Sequence, residues 1–161
     1  ERFMAQVYEE NGRCEAAEVA ALCLANLYNS GGHRKITPDE YETIKKYLQK
    51  FPESMHIRAA FIIASEAIYS PSAEYKRVPD KIINKAKQWS EQYPKKIEFQ
   101  EAYFGLLFSR LKYAQAQDMR NEQRRVYREM KTVAERANYS EYNESNQLME
   151  SVDILHRVFG Y

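Results

Sequence analysis

The sequence predicts an all-α protein of stacked antiparallel helix hairpins, an α-solenoid or right-handed superhelix of about seven to eight helices. Three observations predict it: an internal repeat of 42 to 44 residues, helix start and stop signals at matching points of each copy, and no stretch with the sustained β-branched alternation of a strand. One segment runs Tyr41, Ile44, Tyr47, Leu48, Phe51, Pro52. Forty-two residues later the same slots hold Ile83, Ala86, Trp89, Ser90, Tyr93, Pro94. Another forty-four residues on they hold Tyr127, Met130, Val133, Ala134, Ala137, Asn138. The spacing i, i+3, i+6, i+7, i+10 puts each set on one helix face, and the closing Pro or Asn is a residue expected just past a helix end.

Each element follows from local signals. The opening Glu1 to Glu10 reads as the end of an amphipathic helix, and Glu1 in place of Met suggests a piece of a longer chain. An apolar helix is expected over about Glu15 to Asn29, closed by Ser30-Gly31-Gly32-His33. Thr37-Pro38-Asp39-Glu40 supplies an N-cap Thr, a Pro at the first helical position and a Glu three residues after the cap. Val78-Pro79-Asp80 repeats the proline 41 residues on. Between these amphipathic helices lie more apolar ones, about His56 to Tyr69, Ile97 to Gln115 and Ser145 to Val158. Phe99 to Phe108 is apolar nearly all round, as a helix sandwiched between neighbours should be. One hairpin cannot cover its own apolar face, so the hairpins must stack. The expected organisation is a single domain over 1–161, with approximate repeats at 13–52, 53–94, 95–138 and a partial 139–161.

Composition narrows the function classes. The 161 residues carry 24 basic and 23 acidic side chains, a net charge of +1, so no net field demands nucleic acid or an anionic membrane. No apolar run reaches the roughly 20 residues of a membrane span. Cys14 and Cys23 are roughly 13 Å apart if they share one helix, beyond disulfide reach, and read as reduced thiols of a cytoplasmic protein.

Stacked helix pairs, the small residue in Phe104-Gly105-x-x-Phe108, and Phe51-Pro52 or Tyr93-Pro94 closing the second helix resemble tetratricopeptide (TPR) repeats. The resemblance spans about residues 13 to 158. It departs from the family in its period, where about 34 is usual, and in showing the Gly in one copy alone. It implies helix stacking and a concave docking surface for a peptide segment.

No constellation of catalytic residues is visible. His33, His56 and His156 are scattered, with no His-x-x-x-His pair or Cys cluster, so no metal site is expected; no glycine-rich phosphate loop follows a strand, so no cofactor is expected. The candidates are binding residues. Asn26, Ser65, Ser109, Arg110 and Lys112 interrupt the apolar helices and are expected to meet a partner, Arg110 and Lys112 through acidic groups, Asn26 and Ser109 through its backbone. Arg120, Arg124, Arg128 and Lys131 follow an i, i+4, i+8, i+11 track, a basic stripe whose plainest reading is a solvated helix face. The functional expectation is therefore a non-catalytic scaffold that docks a protein or peptide, with no membrane partner. Structural self-association within a larger protein, and nucleic-acid binding through the stripe at 120–131, are the alternatives.

Overall fold

The computed structural model describes residues 36–69, 76–139 and 147–161, which form six α-helices and no strand. They are α1 (Pro38–Lys50), α2 (Met55–Tyr69), α3 (Asp80–Gln92), α4 (Ile97–Ala116), α5 (Arg120–Ala137) and α6 (Gln147–Phe159). The helices expected before residue 36 lie outside the described residues. No described helix is long and apolar enough to cross a membrane. The chain divides into two compact units, Glu1–Ile68 and Tyr69–Tyr161.

In the first unit, α1 begins as its sequence dictates. Thr37 accepts from the Glu40 amide while the Glu40 carboxylate accepts from the Thr37 amide, and Pro38 sits at the first helical position. Tyr41 and Ile44 are the buried face of α1, and Tyr41 stacks on Phe61 of α2 with ring centroids 5.8 Å apart. Ile57, Ala60, Ile62 and Ala64 complete the interior of α2.

The second unit packs α3 on α4, α4 on α5 and α5 on α6. Ile83, Ala86, Trp89 and Ser90 are the buried face of α3; Met130, Val133 and Ala134 fill the slots of Ala86, Trp89 and Ser90 on α5, and Ala137, in the slot of Tyr93, is buried with them. α4 is the central helix, buried through Phe99, Tyr103, Leu106, Leu107 and Leu111. The chain end folds back on α4 and α5. Tyr161 lies against the Tyr127 ring at 5.2 Å, accepts from Gln115 at 2.9 Å and donates to Gln123 at 3.1 Å. This accounts for Tyr127, which the repeat assigns to the core but which is half-buried, while its neighbour Val126 is 3% exposed.

The first two hairpins share their geometry at a 42-residue offset. α1 and α3 are each 13 residues long, and their starts, ends and the starts of α2 and α4 all differ by 42. Phe51 and Tyr93 close α1 and α3 with amide bonds to Tyr47 and Trp89, both of 2.8 Å. Ser54 and Lys96 then bond back to Phe51 and Tyr93, at 3.2 and 3.1 Å. Arg58 and Gln100, again 42 apart, each reach back to carbonyls of the preceding turn or helix end: Arg58 to Pro52 at 2.7 Å, Gln100 to Ser90 at 2.9 Å. The proline stops the helix, and the long polar side chain one turn into the next helix satisfies the orphan carbonyls left behind.

Candidate functional site

A groove of about 750 Å³ runs over α4 within the second unit. Tyr103, Leu107, Arg110 and Tyr113 form its floor, a single face of α4 at i, i+4, i+7, i+10. One wall is Asp80, Ile83, Asn84 and Lys87 of α3, and the other is Glu122, Arg125, Val126 and Glu129 of α5. Arg77 and Met119, each just before a wall helix, also line it.

Charges in the groove are arranged as alternating pairs. The Arg110 side chain is 7% exposed and holds both walls, with Nε donating to Glu122 at 2.6 Å and Nη1 to Asp80 at 2.5 Å. Arg77 donates to the other oxygen of Asp80 at 3.1 Å, and Arg125 grips Glu122 with two bonds of 2.9 and 2.8 Å. The result is a row Arg77, Asp80, Arg110, Glu122, Arg125 of alternating sign. Arg110, by hydrogen bond and charge, holds the Asp80 carboxyl below the usual carboxylate range. The Arg125 hydrogen bond, with Arg110 beside it, does the same for Glu122. Further along, Lys87 lies 3.2 Å from Glu129, and Tyr103 donates to the same carboxylate at 3.1 Å. Burial, reinforced by the Glu129 charge, pushes the Tyr103 hydroxyl well up, so it stays protonated and a donor.

Of the residues expected to bind a partner, only Arg110 lines the groove. Asn26 lies outside the described residues. Ser65 is 0% exposed and sits inside the first unit, donating to the Phe61 carbonyl at 2.7 Å and paired with the Tyr41 hydroxyl at 2.8 Å. Ser109 is 3% exposed and donates to the Gly105 carbonyl at 3.1 Å. Both serines are placed to satisfy a carbonyl one turn back, not to face a groove. Ser65→Ala is therefore expected to cost about 1 kcal/mol by removing the buried hydrogen bond between its hydroxyl and that of Tyr41, measured by urea denaturation; no loss would mean that this bond contributes nothing net to the fold. Lys112 sits over the rings of Phe108 and Phe159, at 5.3 and 5.5 Å, where it joins α4 to α6.

The acidic groups that Arg110 meets, Asp80 and Glu122, belong to its own chain and not to a partner. The stripe residues Arg120, Arg124, Arg128 and Lys131 are all exposed on α5, on the side away from the groove. Arg120 is 3.5 Å from Asp118, and Arg128 donates to the Arg124 carbonyl at 3.3 Å.

Asp80, Asn84, Lys87, Tyr103 and the α5 wall are the groove residues that the sequence alone does not bring together. A signal existed. Asp80 and Glu122, like Lys87 and Glu129, are 42 residues apart, two short of the offset that aligns the core slots of α3 and α5. Two residues are about 200° around a helix, as two equivalent helices need if they face each other across one groove. The core offset of 44 instead carries Asp80, Asn84 and Lys87 onto Arg124, Arg128 and Lys131. The basic stripe is thus the repeat counterpart of the α3 wall.

Among the described residues no group of His, Cys, Asp and Glu is placed to hold a metal ion. Compared with known proteins, the chain matches no family model, no curated protein and no solved structure.

Proposed function

We propose that the chain is a TPR-like helical-repeat module that performs no chemistry and docks an extended segment of a partner protein in the groove over α4. The observation that carries this reading is the groove itself, with a floor of Tyr103, Leu107, Arg110 and Tyr113, walls on two helices and polar groups arrayed along its length. Repetition supports the TPR-like part, since two hairpins share starts, stops and turn hydrogen bonds at a 42-residue offset. The partner then lies across the face of stacked hairpins, the surface that a repeat architecture leaves open.

The test is selection of peptides from a displayed library on the whole chain, followed by fluorescence polarisation with variants. Selected peptides should lose about tenfold or more in affinity for Asn84→Ala/Tyr113→Ala. They should keep it for Arg124→Ala/Arg128→Ala. Peptides that bind the groove variant undiminished would place docking elsewhere. The exposed stripe supports a second reading, nucleic-acid binding. It would show as binding of single-stranded RNA that falls steeply with salt and is lost in Arg124→Ala/Arg128→Ala.

A further inference from the structure

We infer that the chain carries a second interaction surface, independent of the groove: the outer face of α5 docks an acidic α-helix of a partner protein. Arg120, Arg124, Arg128 and Lys131 lie along one line of α5, and all four are exposed. The helix beneath them is firmly seated, because Met130, Val133, Ala134 and Ala137 on its other side are fully buried. The charges of the stripe are unanswered within the chain. Off the stripe, Arg58, Arg77, Arg110, Arg125 and Arg136 each have an acid within ion-pair distance. On it, Arg120 lies 3.5 Å from Asp118, but the two side chains are 81% and 83% exposed, where such a pair contributes little. Arg128 donates to the Arg124 carbonyl, and among the described residues no acid pairs with Arg124, Arg128 or Lys131. Glu122 and Glu129, the acids that α5 carries beside them, are turned to the groove and held there by Arg110, Arg125 and Lys87. Like charges three and four residues apart repel along a helix, a strain that an acidic partner relieves.

The order of signs selects the kind of acid. Asp118 precedes the stripe, and Glu135, exposed and on the same line of α5, ends it. A nucleic-acid strand running past either end meets a like charge there. A short segment with acids between two basic ends meets the opposite sign throughout. Spacing then selects a helix. The four cations stand roughly 6, 6 and 4.5 Å apart along the axis, a span of roughly 16 Å. A helix laid along α5 presents Glu or Asp at i, i+4, i+8 and i+11 with the same rise, rung against rung. An extended strand puts same-side residues about 6.7 Å apart, so four acids span roughly 20 Å and fall out of step. Tyr127, the only aromatic residue of α5, already lies against Tyr161, so no ring of this helix stands ready to stack a base.

Fluorescence polarisation on the whole chain tests this with labelled, capped, alanine-rich peptides of about 20 residues, long enough to be helical alone. One carries glutamates at i, i+4, i+8 and i+11 with a lysine beyond each end. Its scrambled counterpart has the same composition with the glutamates spread around the helix, and the third probe is single-stranded RNA of similar length. The patterned helix should bind best, about tenfold tighter than the scrambled one, and should weaken as salt rises. Arg124→Ala/Arg128→Ala should weaken it about tenfold, the scale of two exposed ion pairs. Lys81→Ala/Arg157→Ala, which removes as many exposed cations from α3 and α6, should leave it unchanged. All four side chains are exposed, so both double variants keep the core, as circular dichroism checks. Equal binding of the patterned and scrambled helices would overturn the assignment, because the face would then offer only diffuse charge. Tighter binding of the RNA would overturn it in favour of a nucleic-acid surface. It also falls if binding survives Arg124→Ala/Arg128→Ala, or if the patterned helix does not bind.

Discussion

Trp89→Ala should cost the second unit about 3 to 5 kcal/mol, the range for truncating a fully buried aromatic side chain. Trp89 is 5% exposed, on the buried face of α3 with Ile83, Ala86 and Ser90, and its carbonyl receives the Tyr93 amide that ends the helix. Truncation removes the transfer energy of the indole and leaves a cavity that neighbouring helices can only partly fill. A domain is usually stable by about 5 to 15 kcal/mol, so this single change takes a large share of the total. Tyr47 occupies the same slot of the first hairpin but is only half-buried, and Tyr47→Ala should cost about 1 to 2 kcal/mol. Urea denaturation followed by far-ultraviolet circular dichroism measures both. A loss below about 1 kcal/mol for Trp89→Ala would show that the indole is not core.

Arg110→Met should have the next largest effect, about 2 to 4 kcal/mol, because it strips the central cation from a part-buried row. Glu122, with its side chain 17% exposed, keeps only Arg125, and the Asp80 link from α3 to α4 is lost. Acid should mimic part of this. Both carboxyls titrate lower in the folded chain than when unfolded, so the unfolded chain binds more protons as pH falls. Their contribution is complete above the ordinary carboxylate range, near pH 4, and is lost as pH drops through the depressed folded values. Glu101 works the other way, since burial and the adjacent Glu98 raise its carboxyl. The informative quantity is therefore the difference between variant and unaltered chain. The stability gap between them should narrow below about pH 4. A gap independent of pH would mean that the arginine acts by packing its stem and not by its charge.

What could be read before the structure was what lies close along the chain. Thr37, Pro38 and Glu40 fix the start of α1 because a capping box is made within one turn. Phe51-Pro52 and Tyr93-Pro94 fix two helix ends because a proline cannot continue a helix. The core slots of α3 and α5 follow from periodicity alone, since a helix buries whichever face carries its apolar residues. The serines were less legible. Ser65 and Ser109 look alike as polar interruptions of apolar helices, and only their hydrogen bonds to Phe61 and Gly105 show that both are internal.

The sequence by itself determined that the described residues are helical, where the six described helices fall, and most of the buried face of α3 and α5, because helix caps, stops and 3.6-residue periodicity are local properties. Tertiary structure decided what Arg110 does. Its partners, Asp80 and Glu122, lie 30 and 12 residues away on two other helices. Nothing in local spacing says that a basic residue on a nearly apolar helix will find two acids of its own chain. That pairing depends on how far α3 and α5 are rotated about their axes as they pack on α4, and the rotation is set by the whole buried surface.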